Sequence, residues 1–571
     1  MKHRILILFT AAAVLSGIAG CEDFLDRKPY SLVPEMYFND ESELRTFAAG
    51  VYSVMQHEQF YGGDYLVNVA GGDDLSFYSR ANASNTMVSA NASSGSPTIA
   101  SLWRALYEGV NRANMLLENA DRNPSVAAAA RSRAKAEAMF LRAFYYFHLV
   151  QGWGDVPFRL HSTETVVGLD AGRTDKEIIY EQIVADMAGA IPWLPESTEM
   201  PYTELLTRSA ARGILARVWL FRAGECFRDS RAPDEPHRQA CFAAAKKWAM
   251  EVMDGGLHDL APSYSGVFID LCADRYNSAG ILESIWEVAE SGNRTASYQA
   301  AGRLGNTMGF GCSTDHSSAP ELQGLTGLAN PGYSYRFIHA SLKLYEMYES
   351  EGDTARGDWS IANYDYTVAA TGNRPVTGRQ YYYGKLLPTD IAPAGFTYTE
   401  LSQTASDNNK TRMAAKYRRE YEQVIPKNKN YTPINCPLLR YSDVLLMIAE
   451  AENELNATPT TLAYDCINAV RRRAGIADLS GLDKGGFRDA VKKERAMELC
   501  FEGLRRWDLI RWGDFYREMR DMESWVYRPG WNSAHAFAAT YYRVSPAYNY
   551  FPIPDMEMAL NKKITANNPG W

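Results

Sequence analysis

Arg495, Glu498, Glu502, Arg505 and Asp508 recur at three- and four-residue steps in the stretch ERAMELCFEGLRRWDLIRWG. On a helix this spacing sets charges of sign +, −, −, +, − on one face. Two carboxylates so placed could act as acid and nucleophile in glycoside cleavage. A general acid needs its pKa raised, however, and flanking arginines lower it. Ion pairing along and between helices is therefore expected here, with Trp507 and Trp512 as core. The stretch LLRYSDVLLMIAEAENEL has the same character: Arg440, Asp443, Glu450 and Glu452 interrupt an apolar helix. Buried charges are tolerated only when paired, so these four are expected to fix adjacent helices.

A second kind of chemistry is written into two loop stretches. A sugar ring has apolar C–H faces and a belt of hydroxyls. It asks for aromatic faces to stack on and for carboxylate, amide or guanidinium groups at its edges. GGDDLSFYSRANASN offers Asp73, Asp74, Phe77, Tyr78 and Arg80. NRTASYQAAGRLGNTMGFG and NPGYSYRF offer Tyr298, Arg303, Phe310, Tyr333 and Tyr335. Neither loop contains tryptophan, which argues against a starch-like helical ligand. Asp73 and Asp74 could instead hold calcium through oxygen ligands, although their spacing lacks a known loop pattern. Histidines are scattered without paired spacing and no Cys-x-x-Cys occurs, so neither a metal nor any other cofactor is expected.

The elements that must position these groups read mostly as helix. LWRALYEGVNRANMLLENA places Leu102, Leu106, Val110, Ala113 and Leu117 on one face. RAKAEAMFLRAFYYFHLVQGWGD does so with Ala134, Ala138, Leu141, Tyr145 and His148, and Gly152 and Gly154 stop it. TRSAARGILARVWLFRAGE and CFAAAKKWAMEVMDGG repeat the pattern, the latter ended by Gly255-Gly256. Alanine-rich faces and pairwise succession resemble tetratricopeptide-type hairpins. From about 257 to 436 Gly, Ser, Asn, Thr, Pro and Tyr dominate, with short strands hinted at ESIWEVAE and YYYGKLLP. Loops this long in a compact protein are usually functional.

The N-terminus has its own logic. Lys2 and Arg4 precede an apolar run too short to span a bilayer, and Ile18-Ala19-Gly20-Cys21 follows. This is a bacterial lipoprotein signal over 1–20, with Cys21 as the lipidated residue and a single domain over 21–571. Loss of Lys2 and Arg4 moves the formal net charge from −9 to −11. Such an acidic chain is a poor partner for nucleic acid. Seven cysteines remain besides Cys21, an odd number in a long chain, and buried free thiols are expected.

An ordered set of motifs, CEDFLDRKP, RAKAEAMFLRAFYYFHLVQGWGDVP, LLRYSDVLLMIAEAENEL, INAVRRRAG, ERAMELCFEGLRRWDLIRWG, YFPIPDMEM and NNPGW, is similar to that of the SusD/RagB outer-membrane lipoproteins. The resemblance spans nearly the whole mature chain. It implies a mainly α fold: a tetratricopeptide-like scaffold, here mainly 36–256 and 437–515, and an irregular half, about 257–436, bearing the ligand site. It also implies a non-catalytic glycan-binding protein, lipid-anchored and surface-exposed on the outer membrane, that delivers oligosaccharide to a SusC-type TonB-dependent transporter. The alternatives are a peptide-capturing relative on the same scaffold and, last, a glycoside hydrolase. The family's loop sequences vary freely, so the resemblance transfers no single ligand-binding residue.

Overall fold

The computed structural model describes residues 38–571 except 164–168, 201, 230, 277–282, 292–301, 316–323, 326, 372–373, 383–397 and 401–408. Cys21 and Tyr298 therefore lie outside the described residues. The described chain is mainly helical, with four small sheets.

The first helices are α1 (Glu41–Tyr52), α2 (Pro97–Asn119), α3 (Ala128–Trp153), α4 (Lys176–Ala190), α5 (Arg208–Ala223) and α6 (Glu235–Asp254). Several start where the sequence provides a cap. The Asp40 carboxylate accepts from the Glu43 N–H, and the Thr207 hydroxyl accepts from the Ala210 N–H. Consecutive helices are each other's main neighbours: α2 on α3, α3 on α4, α5 on α6. Small residues set the close approaches. A Cβ on Gly109 of α2 would lie 2.5 Å from the Tyr145 ring of α3, and one on Gly213 of α5 would lie 2.3 Å from Leu439.

The α3 helix departs from the one-stripe expectation. Every residue from Phe140 to Trp153 is buried. The C-terminal segment covers the side that would otherwise face water: Phe551 donates its N–H to the Gly152 carbonyl, and the Trp153 indole donates to the Pro552 carbonyl at 2.8 Å. Burying each large apolar side chain stabilises by about 1.5–3 kcal/mol, so a helix with large apolar groups on every side belongs inside, its buried Arg142 paired with Asp186 at 2.7 Å. Gly154, not Gly152, ends it, at φ 73°.

Between the two helical blocks come α7 (Tyr264–Cys272), α8 (Leu342–Glu351) and α9 (Thr354–Ser360). The last block holds α10 (Tyr441–Leu455), α11 (Thr461–Arg473), α12 (Lys484–Leu499), α13 (Arg505–Arg511) and α14 (Phe515–Trp525). Near the end of the chain, α15 spans Asp555–Leu560. The α10 helix joins the two blocks by packing on α6, α11 and α12. Among the described residues no helix is long and apolar enough to cross a membrane.

The stretch 257–436 is less regular but not structureless. Strand β4 (Ser284–Val288), at the predicted ESIWEVAE, pairs antiparallel with β9 (Cys436–Arg440). A hairpin of β6 (Tyr364–Thr371) and β7 (Arg374–Tyr381) carries a third strand, β8 (Tyr398–Glu400). Near the N-terminal block, β2 (Val156–Pro157) pairs with β3 (Arg173–Thr174). The fourth sheet ties the two halves of the chain together: β1 (Ser76–Tyr78) pairs antiparallel with β5 (Ile338–Ala340), Phe77 opposite His339.

The charged helical motifs form a buried ion-pair layer. Arg440 donates to Glu283 (2.8 Å), Glu498 (2.9 Å) and Glu502 (2.8 Å) and is wholly inside. Arg356 reaches Glu494 (2.6 Å), and Lys416 reaches Glu502 (2.6 Å). Asp443 is held between Arg495 and Arg217, both at 2.6 Å. Glu450 pairs with Arg511, and Glu452 with Lys246. Burial pushes the Glu498 carboxyl up, but Arg473, Arg440 and Arg356 together hold it well below the usual range. Asp443 ends at about 2 by the same contest between burial and its two arginines. The seven described cysteines are free.

Candidate functional site

The site grows from the β1–β5 pair and a short turn beside it. Residues Leu304–Thr307 form a single helical turn whose open carbonyls receive the next strand-like segment. The Tyr335 N–H donates to the Asn306 carbonyl (2.7 Å), and the Phe337 N–H donates to the Thr307 carbonyl (2.8 Å). On its other edge, the Ser79 N–H donates to the Phe337 carbonyl (2.8 Å). The segment 333–337 is thus held on both sides. Between the two rings Arg336 is forced into the left-handed region at φ 52°. A non-glycine residue there is strained by about 1–2 kcal/mol, the kind of cost that persists where surroundings fix a recognition geometry.

This frame lines up four half-buried rings. Tyr335 stacks on Phe337 with centroids 5.1 Å apart and planes 2° off parallel. Phe337 stacks on Tyr78 at 5.3 Å and 24°, and Tyr333 meets Tyr335 edge-on at 5.0 Å. The exposed Arg80 guanidinium lies 5.6 Å from the Phe337 centroid and donates to the Tyr335 carbonyl at 2.8 Å. The Tyr541 hydroxyl fastens Arg80 by donating to its carbonyl at 2.5 Å. A cavity of about 270 Å³ opens beside the rings, lined among others by Arg80, Tyr333, Tyr335, Arg336 and His339. Burial, then the neighbouring His535 and Arg336, push His339 well below its ordinary pKa, so its imidazole is neutral at pH 7.

Of the sequence-predicted residues, Tyr78, Arg80, Tyr333 and Tyr335 are brought together. Arg303 stands next to them, its guanidinium paired with Glu58 and its carbonyl capping the turn. Four others are corrected. Phe77 is on the inner face of β1, 1% exposed and 4.8 Å from the Trp531 ring. The alternation of a strand turns Phe77 inward when Tyr78 faces out. Phe310 is fully buried in a second apolar cluster with Tyr364 and Tyr366. Asp74 is 0% exposed and clamped by Arg505 (2.8 Å) and Lys343 (2.6 Å). Asp73 accepts from the Leu75 N–H and the Ser76 hydroxyl, both at 2.9 Å. The partners these aspartates meet belong to the protein itself.

The two aspartates titrate far apart. Burial, then the charge of Asp74, push Asp73 up to about 7. Burial pushes Asp74 up as well, but Arg505 and Lys343 overcome it and hold Asp74 well below the usual range. Such splitting is what an acid–base pair would need. Both carboxyls are buried against the protein's own donors, however, with no open cleft described at either.

Sequence reasoning missed Phe337, the middle ring, and Lys429, whose ammonium lies 5.2 Å from the Tyr333 centroid. The signal for Phe337 was available: Tyr333, Tyr335 and Phe337 alternate at a two-residue period, which puts rings on one side of an extended segment. A larger cleft, about 580 Å³, lies between α2 and α15. Its Trp103 is 5% exposed, and its Tyr107 hydroxyl is committed to the Pro157 carbonyl. It offers no open stack of rings.

A helical scaffold presenting a loop-built aromatic face defines a class of binding protein. Comparison with known proteins shows the family to which the chain belongs. The model of the SusD family matches residues 283–571, and a model described as starch-binding, associating with the outer membrane, matches residues 23–220. The chain belongs to the SusD family. It is similar to a SusD-like protein, P25, of Formosa agariphila, at 26% identity over the whole of both chains. The starch-binding protein SusD of Bacteroides thetaiotaomicron is 23% identical over 76% of this chain and 72% of its own. A solved SusD homologue from the same Bacteroides species superposes with a TM-score of 0.74 at 26% identity, covering 94% of this chain and 98% of that one.

Proposed function

We propose that this chain is a non-catalytic, glycan-binding lipoprotein of the outer-membrane surface, anchored through Cys21. It captures oligosaccharide on the Tyr78–Phe337–Tyr335–Tyr333 face and delivers it to a SusC-type TonB-dependent transporter. The observation that carries the reading is the stacked series of half-exposed rings, held rigid by backbone pairing on both edges. Rigid rings bind sugar faces without first losing rotamer freedom. The starch-binding name of the Bacteroides thetaiotaomicron relative and the outer-membrane description of the N-terminal family model support the same reading. A hydrolytic role finds little support, because the paired carboxylates of α12 and α13 are buried against arginines.

Affinity gel electrophoresis of the purified protein across a panel of polysaccharides tests this. Retardation by at least one polysaccharide, lost in Tyr335→Ala, is the expected result. Retardation that survives Tyr335→Ala and Tyr78→Ala unchanged would move the site elsewhere. New reducing ends in incubated oligosaccharide would restore the hydrolase.

A further inference from the structure

We infer that the cavity beside Tyr335 receives an anionic sugar, its charge carried by a carboxylate or a sulfate ester, while the ring series holds the adjoining residues of the same oligosaccharide. The inference rests on the glycan-binding reading and names the ligand's charge.

Formal charge at the cavity is one-sided. Hydroxyl groups both donate and accept, so a site for a neutral sugar commonly offers both kinds of partner. Here the charged side chains lining the cavity are Arg80 and Arg336, and no carboxylate lines it among the described residues. Arg336 is already neutralised by Asp365 at 2.6 Å. Arg80 has no acidic partner among the described residues. Of the five donors of its guanidinium, one goes to the Ser79 hydroxyl (3.2 Å) and one to the Tyr335 carbonyl (2.8 Å). The others remain for a ligand, on an exposed side chain fixed by those two bonds. The field is felt nearby: after burial, Arg80 is what lowers His535. Planar guanidinium donors match the oxygens of carboxylate and sulfate, and charge-assisted bonds of this kind are about twice as strong as neutral ones. The arrangement stands out in a chain of net charge −9, where acids outnumber bases overall.

The test compares matched ligands in affinity electrophoresis and calorimetry. Polygalacturonate and its methyl ester form the carboxylate arm. A sulfated galactan and its desulfated form make the sulfate arm. Neutral laminarin and galactan serve as controls. At least one acidic member should bind ten times or more tightly than its neutralised partner, and 0.5 M NaCl should erase most of that preference. Arg80→Ala should lose tenfold or more on the acidic ligand and several-fold less than that on any neutral one, with Arg80→Lys recovering part of the acidic preference. Thermal unfolding of the variants should match wild type, since the side chain is exposed. Binding to neutral glycans alone, or acidic binding indifferent to Arg80→Ala, would overturn the charge assignment and leave glycan capture standing. Binding to none of the panel would overturn both.

Discussion

Two regions of this molecule are rich in arginine and treat it in opposite ways. In the layer formed by α10, α12 and α13, guanidinium groups meet carboxylates inside the protein, as Arg440 does with Glu283, Glu498 and Glu502. At the β1–β5 face, Arg80 stands exposed over an aromatic ring and bonds only to uncharged oxygens. The same residue type fixes the scaffold in one place and, on the reading proposed above, meets the ligand in the other. What separates them is the supply of partners, since a charge satisfied internally has little left to offer.

The comparison can be broken most forcefully at Arg440. Arg440→Met takes one buried cation from Glu283, Glu498 and Glu502, leaving them Arg473, Arg356 and Lys416, and should destabilise the fold by about 3–5 kcal/mol in urea unfolding. Oligosaccharide affinity of the fraction still folded should be unchanged. A loss below about 1 kcal/mol would mean that the layer is wetter than its burial implies.

Asp73→Asn tests the acids beneath the face. The folded pKa of about 7 lies above the ordinary value of 3.8, so the folded state holds a proton that the unfolded chain gives up. Stability from that proton is fully present below pH 3.8 and is lost as pH rises through 7. Above pH 7 the buried charge opposes folding, and Asn removes it. The variant should therefore gain about 1–2 kcal/mol at pH 8, with the gain shrinking as pH falls. Equal effects at pH 8 and pH 5 would refute the raised pKa.

Smaller in energy but decisive for the face, Tyr335→Ala should weaken oligosaccharide binding about tenfold, near 1.4 kcal/mol, while the unfolding midpoint moves little. The least effect belongs to the larger cleft. Leu560→Ser, on a side chain 69% exposed, should leave affinity within twofold of wild type by calorimetry.

The helices were legible in the sequence because their apolar spacing, caps and terminal glycines agree. The ion pairs were legible because charges inside apolar helices have few other fates. Arg440, Asp443, Glu450 and Glu452 all meet opposite charges as expected. The α3 helix was read less fully: a stripe is visible in a sequence, but the C-terminal segment that covers the opposite side lies about 400 residues away. The candidate site was half legible. Tyr78, Arg80, Tyr333 and Tyr335 stand in stretches whose composition suits a ligand. Composition cannot say which neighbour turns inward, so Phe77 and Asp74 were drawn into the same set. Phe310 failed for a different reason: its partners Tyr364 and Tyr366 come from a hairpin that the Gly- and Tyr-rich text barely announces.

Strand β1 meets its partner with Ser76 opposite Ala340, so the proposed recognition surface is stitched from stretches on either side of nearly half the polypeptide. Closing so large a loop costs entropy that rises by only about 0.6 kcal/mol per doubling, but the closure has to happen. If the rings are the site, a nascent chain is blind to its ligand until the second stretch has emerged and docked. On the same reading, a proteolytic fragment that carries one margin without the other should not bind. Because each margin sits in its own span of sequence, either can drift toward a new ligand while the other keeps its grip.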